Sequence, residues 1–82
     1  MALTDLTQMR IGQNGTIVEI QGGFGLRNRL QSMGVRPGKK ITKVSGFFMR
    51  GPITVSIENM EVALGFGMGK KVIVEVVEQE QR

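Results

Sequence analysis

Apolar and polar positions change rhythm several times along the chain, and each change marks an element. Ile53, Val55 and Ile57 alternate with Thr54 and Ser56, the period of a half-buried strand. Glu58-Asn59 reads as a tight turn, after which Met60, Val62 and Leu64 alternate with Glu61 and Ala63. Two such runs across so short a connection predict an antiparallel hairpin. Residues 22–38 alone carry helical spacing: Leu26, Leu30 and Met33 stand at i, i+4 and i+7 on one face, with Arg27, Arg29 and Gln31 turned to solvent. The stop is written just as clearly. Gly34 suits the left-handed position after the last turn, and Val35 and Leu30 are the apolar pair that closes a Schellman end. Pro37-Gly38 then predicts a type II turn.

The remaining elements are shorter. Residues 16–20, β-branched and bounded by glycine, predict a first strand, after turn material at 11–15 in which Asn14-Gly15 favours left-handed backbone. A second strand is expected at 40–44, interrupted by 45–52 as a loop or the flared tip of a hairpin. Glycine breaks the chain at 65–69, with one helical turn near Met68. Residues 72–77 form the last strand, whose nearly continuous apolar run implies burial on both faces. Residues 2–10 are a lead-in, with a turn at Thr4-Asp5-Leu6 and with Leu3 and Leu6 against the core; 78–82 are expected to fray. The prediction is mainly β: a small, strongly bent barrel of about five strands with one short helix after the first. Closure or near-closure would hide the strand edges. No repeat or linker divides residues 1–82, which are expected to form one domain.

Composition narrows the chemistry. The chain has 82 residues and no cysteine, histidine, tryptophan or tyrosine, so neither a disulfide framework nor a thiolate metal site can support the small core. The opening MALTDLTQMR has an early acid and no sustained apolar run, unlike a secretory signal, and no stretch approaches the ~20 apolar residues of a membrane span. A cytoplasmic location is expected. The net charge is +4; basic residues dominate from Arg10 to Lys71, whereas Glu75, Glu78 and Glu80 follow Val74. Such a body attracts nucleic acid, an anionic membrane face or an acidic protein; the plainer reading is a solvated surface.

Catalysis finds no support. The acids are Asp5, Glu19, Glu58, Glu61, Glu75, Glu78 and Glu80, and no spacing assembles a nucleophile, a base and an orienting group. Gly22-Gly23-Phe24-Gly25 opens the helix, but neither glycine run meets the P-loop pattern; Lys71 stands where Ser or Thr is required. Glycine there serves the sharp strand-to-helix turn. The functional candidate is apolar: Phe47-Phe48-Met49, between Gly46 and Gly51-Pro52. Adjacent aromatics in a strand point to opposite faces, so one lies outside the core. Arg50, Arg27 and Arg29 would give it a basic rim. The alternative is that the loop folds back over the helix and caps the core.

The glycine-rich approach, Leu30, Met33-Gly34-Val35 and Pro37-Gly38 together resemble the L-x-x-M-G-[LV]-x-P-G signature of ferrous iron transport protein A (FeoA) domains. Residues 16–20 before it and 52–64 after it fall where that family has strands. Val62-Ala63-Leu64-Gly65, Gly67-Met68 and Lys71-Val72-Ile73-Val74 look like its closing strand. The resemblance spans residues 2–77, and metal-dependent transcriptional repressors carry a related SH3-like domain. It implies a cytoplasmic SH3-like barrel beside the membrane ferrous-iron permease FeoB, modulating that permease or its GTPase domain by protein contact. Phe47-Phe48-Met49 is more apolar than the loop of many members. Ferrous iron favours imidazole, carboxylate or thiolate, and two of those are absent; the six methionines offer only soft thioethers, with Met33 and Met60 expected as core filler. No cofactor and no tight iron site are expected. Two rivals stand: a nucleic-acid-binding basic barrel, disfavoured because its phenylalanines lie in loops and at the helix start, and a repressor-type or self-associating module using the 46–51 loop.

Overall fold

The computed structural model describes residues 2–46 and 51–77; the expectations for Phe47, Phe48, Met49, Arg50 and the 78–82 tail concern residues outside that set. The strands are β1 Ala2–Asp5, β2 Asn14–Ile20, β3 Lys40–Gly46, β4 Ile53–Ile57, β5 Met60–Leu64 and β6 Val72–Val76. Helix α1 spans Phe24–Ser32 and a single turn, α2, spans Phe66–Gly69. All pairings are antiparallel, in the order β1-β6-β2-β3-β4-β5. The sheet is not closed: no pairing among the described residues joins β1 to β5, so both are free edges.

Alternation sorts the strands into two faces. Ile17, Ile41, Ile53, Val55, Ile57, Leu64, Val72, Val74 and Val76 fill the inner face, with Leu6, Met9, Leu30 and Val35 packed over them. Curvature comes from two β-bulges. Register shifts between Ile17 and Glu19 against β6, and between Lys43 and Ser45 against β4. Val18 and Val44 are the extra residues, and both are exposed. Each bulge bends its strand while leaving the flanking core residues on the inner face. The two ends of the curled sheet meet at Gly69, whose carbonyl accepts the Leu6 N–H at 3.2 Å. A Cβ at Gly69 would stand 2.9 Å from Ile53 Cδ1, so a larger residue there would make the Ile53 side chain shift.

The helix end is as the sequence predicts. Val35 N–H donates to Leu30 O and Gly34 N–H to Gln31 O, each at 3.0 Å, with Gly34 at φ +91°: a complete Schellman motif. Lys39 N–H donates to Arg36 O at 3.2 Å, and Gly38 has φ +93°, closing the turn at Pro37-Gly38. The Glu58-Asn59 hairpin also forms, with both residues at positive φ in a two-residue turn.

Four expectations need correction. Residues 2–5 are a strand, so the turn falls after Asp5, and alternation turns Leu3 outward, 66% exposed. Asn14 and Gly15 open β2 instead of forming a turn. Position 15 is tight: a Cβ would lie 3.0 Å from Val76 Cγ1 and 3.1 Å from Glu75 O, so β6 would have to give by a few tenths of an ångström. Strand β6 buries Val72, Val74 and Val76 on one face only, leaving Ile73 and Glu75 half-buried on the other. Met60 is no core filler: on the free edge strand it is 61% exposed, whereas Met33 does pack against the core.

Candidate functional site

Helix α1 buries only Leu30 completely; Leu26 and Met33 pack partly against the core. The predicted structural motif therefore anchors the helix, with Leu30 and Val35 inside and Pro37 and Gly38 exposed in the turn. The other helix face is open. Arg27 and Arg29 are exposed, and Arg36 returns to the helix end, its Nε donating to Gln31 O at 3.1 Å. Sequence accounts for the sign of this surface: between Glu19 and Glu58 there is no acid, while Arg27, Arg29, Arg36, Lys39, Lys40, Lys43 and Arg50 are basic. Glu58 itself is held by Lys39, Nζ to Oε2 at 2.5 Å. That hydrogen bond, then the charges of Lys39 and Arg36, lowers the carboxyl below its ordinary pKa. Arg27 and Arg29 are both exposed on α1, two residues and so about 200° apart around the helix; Phe47, Phe48, Met49 and Arg50 lie outside the described residues, so their placement beside the helix is not part of this geometry.

Three features escaped the sequence reading. The first is Phe24 at the head of α1, 75% exposed and flanked by glycines. The second is a groove of about 880 Å³ on the outer sheet face. Its floor is the row of side chains opposite the core, including Asn14, Thr16, Thr42 and Ser56, with Lys40 and Glu75. Residues 10–13 wall one side and the Glu58-Asn59 turn the other. The floor is hydroxyl and amide with charges of both signs, suited to hydrogen-bonding an extended polar ligand. It is drawn from strands far apart in sequence, so only register reveals it.

The third is Lys43, the buried charged side chain among the described residues. Its Nζ donates to Met9 O at 2.8 Å and Thr7 O at 3.4 Å. Burial lowers its pKa, opposed by the charge of Asp5. Backbone bonds reinforce the clasp: Gly12 N–H to Lys43 O at 2.7 Å and Lys43 N–H to Gln13 O at 3.1 Å. The groove wall at 10–13 is thereby tied to β3. Strict alternation from Ile41 places Lys43 inward, a signal the sequence did contain.

Among the described residues no three His, Cys, Asp or Glu side chains converge as metal ligands. The acids that are present have other partners or stand apart: Glu58 pairs with Lys39, and Asp5 accepts from the Thr7 backbone and hydroxyl. No helix among them is long and apolar enough to cross a membrane.

The class this architecture defines is a small SH3-like β domain with an inserted helix. The comparisons carry it further: the FeoA domain family model matches residues 4–76, and the chain belongs to that family. A Methanocaldococcus jannaschii protein named as an Fe(2+) transport protein A is 31% identical over 67 residues, 82% of this chain and 79% of that one. The crystal structure of an iron uptake regulatory protein (FeoA) superposes with TM-score 0.87 at 33% identity, covering 93% of this chain and all (100%) of that one. A manganese-dependent transcriptional repressor shares the fold alone, with TM-score 0.83 at 21% identity over 92% of this chain and 42% of the repressor.

Proposed function

We propose that this chain is a regulatory protein-interaction module of the ferrous iron uptake system, acting in the cytoplasm by docking onto a FeoB-type permease through the exposed face of α1. The observation that supports it most is that Arg27, Arg29 and Arg36 are all exposed in a stretch with no acid between Glu19 and Glu58. Guanidinium groups present rigid forks that match carboxylates, so the partner surface is acidic. In this reading Phe47, Phe48 and Met49 supply apolar side chains to the contact. The module carries no reaction of its own: the Fe(2+) named in its relatives is cargo of the system, and the chain acts on a partner that moves it.

The test is binding of the permease's soluble cytoplasmic domain by wild type, Arg27→Glu/Arg29→Glu and Phe48→Asp. A loss of affinity of about tenfold or more is expected for the arginine pair, since each reversal turns attraction into like-charge repulsion. Binding by the arginine variant equal to wild type removes the helix from the contact, and no binding by wild type removes the permease as partner.

A further inference from the structure

One end of the molecule gathers Phe24, Lys70 and Lys71, which this reading leaves unused, with Arg27, which it does use. Gln21 N–H donates to Lys71 O at 2.8 Å, so the β2–α1 and α2–β6 connections lie side by side. Three residues beyond Gln21, within about 10 Å of chain, stands Phe24, 75% exposed. Its neighbours Gly23 and Gly25 have nothing within 4 Å of where a Cβ would project, so this corner is open on both sides of the ring's attachment. Lys70 and Lys71, on the connection that this bond holds beside the β2–α1 turn, and Arg27, three residues after Phe24, are exposed and form no ion pair among the described residues. Glu19, on the adjoining end of β2, is the acid nearest in the chain.

We propose that this corner is a peripheral membrane contact, in which Phe24 seats at the headgroup level of an anionic bilayer while Lys70, Lys71 and Arg27 meet its phosphates. The charge of the corner is complementary to such a surface, and its shape favours a bilayer over an acidic protein. A protein anchor residue fills a pocket and is ringed by packed neighbours that exclude water. Phe24 has glycines around it instead, which suits a soft medium that closes around an isolated ring. Adjacent lysines are compact point charges, matched to a diffuse anionic field and less to the bidentate geometry of a carboxylate partner. Three cations and one ring make a weak and reversible contact, not an anchor. Its role is to orient a small domain that works beside a membrane transporter.

The experiment is co-sedimentation of the full chain with phosphatidylcholine vesicles, with and without phosphatidylglycerol, in low salt. No permease is present, so the result stands apart from the docking reading. Binding is expected only with phosphatidylglycerol and is expected to fall as salt is raised. Phe24→Ala should weaken it several-fold and Lys70→Glu/Lys71→Glu should abolish it. The control is Arg10→Glu/Lys40→Glu, of equal net charge and further along the sheet, Lys40 being paired with Thr16 about 13 Å from Ile20; it should lose clearly less binding than the lysine pair. All these side chains are exposed, and thermal melts verify that each variant folds. The proposal is overturned by no binding to anionic vesicles, by equal losses in the two charge-reversed pairs, or by unchanged binding in Phe24→Ala. It is also overturned if poly-glutamate binds at Lys70 and Lys71 while vesicles do not, which would assign the corner to an acidic protein.

Discussion

Lys43 shows what one side chain does when alternation places it among valines and isoleucines. Its amino group donates to the carbonyls of Met9 and Thr7, and its path runs under Gly46, where a Cβ would stand 2.9 Å from Lys43 Cε and push that side chain aside. Replacing it with methionine keeps the length and strands both carbonyls, at about 1–3 kcal/mol for buried acceptors left unpaired. Chemical denaturation of Lys43→Met should show that loss. The pH dependence has a definite sign. Burial lowers the folded-state pKa below the unfolded value, so in the alkaline window between the two the unfolded chain binds more protons. The wild type regains stability through Lys43 as pH rises across that window, and the Lys43→Met difference should widen as pH rises toward the ordinary lysine range. A flat or narrowing difference would contradict the assignment. At this scale much was legible: Leu30, Gly34, Val35, Pro37 and Gly38 fell where their chemistry required. Phe24 was not, because spacing says which side of a helix a residue takes and nothing about whether other chain will cover it.

Among elements, α1 isolates the difference between two kinds of glycine. Gly34 sits at φ +91° with nothing within 4 Å of a would-be Cβ, so alanine there meets only backbone strain. The cost is about 1–2 kcal/mol. Gly25 lies inside the helix, equally unobstructed and without a positive φ, where alanine removes conformational freedom from the unfolded chain and stabilises by up to about 1 kcal/mol. Urea titration of Gly34→Ala and Gly25→Ala should therefore give shifts of opposite sign; the same sign for both would refute the Schellman reading. Elements with strong local signals, α1, β4 and β5, could be read directly from the sequence. Strand β1 could not: Ala2–Asp5 has no β-branched run, and it is a strand because β6 offers an unpaired edge in register, Ala2 to Val76 through Asp5 to Ile73. Likewise Asn14-Gly15 carries turn chemistry, overridden by pairing with Thr42 and Ile41.

At the scale of the molecule, six strands coil far enough for Leu6, Gly69 and Ile53 to meet, yet the edges β1 and β5 stay unpaired. The sequence showed why such a core must be curled but not that the curl stops short, since the number of strands depended on β1. Nor could it show the outer groove, whose floor draws on residues from Asn14 to Glu75 and exists only once register is set. The bend itself is a matter of count. Removing Val18 leaves Ile17, Glu19 and Ile20 in simple alternation; removing Val44 does the same for Lys43, Ser45 and Gly46. Each deletion should preserve strand content by circular dichroism while lowering the melting temperature and raising binding of an apolar dye, because a flatter sheet parts Leu6 from Ile53. Unchanged melting in both would show that something else shapes the sheet. If the expected result holds, the architecture is written in two places as spacing: lineages that gain or lose one codon there would reshape the domain without altering the identity of a single inward-facing residue.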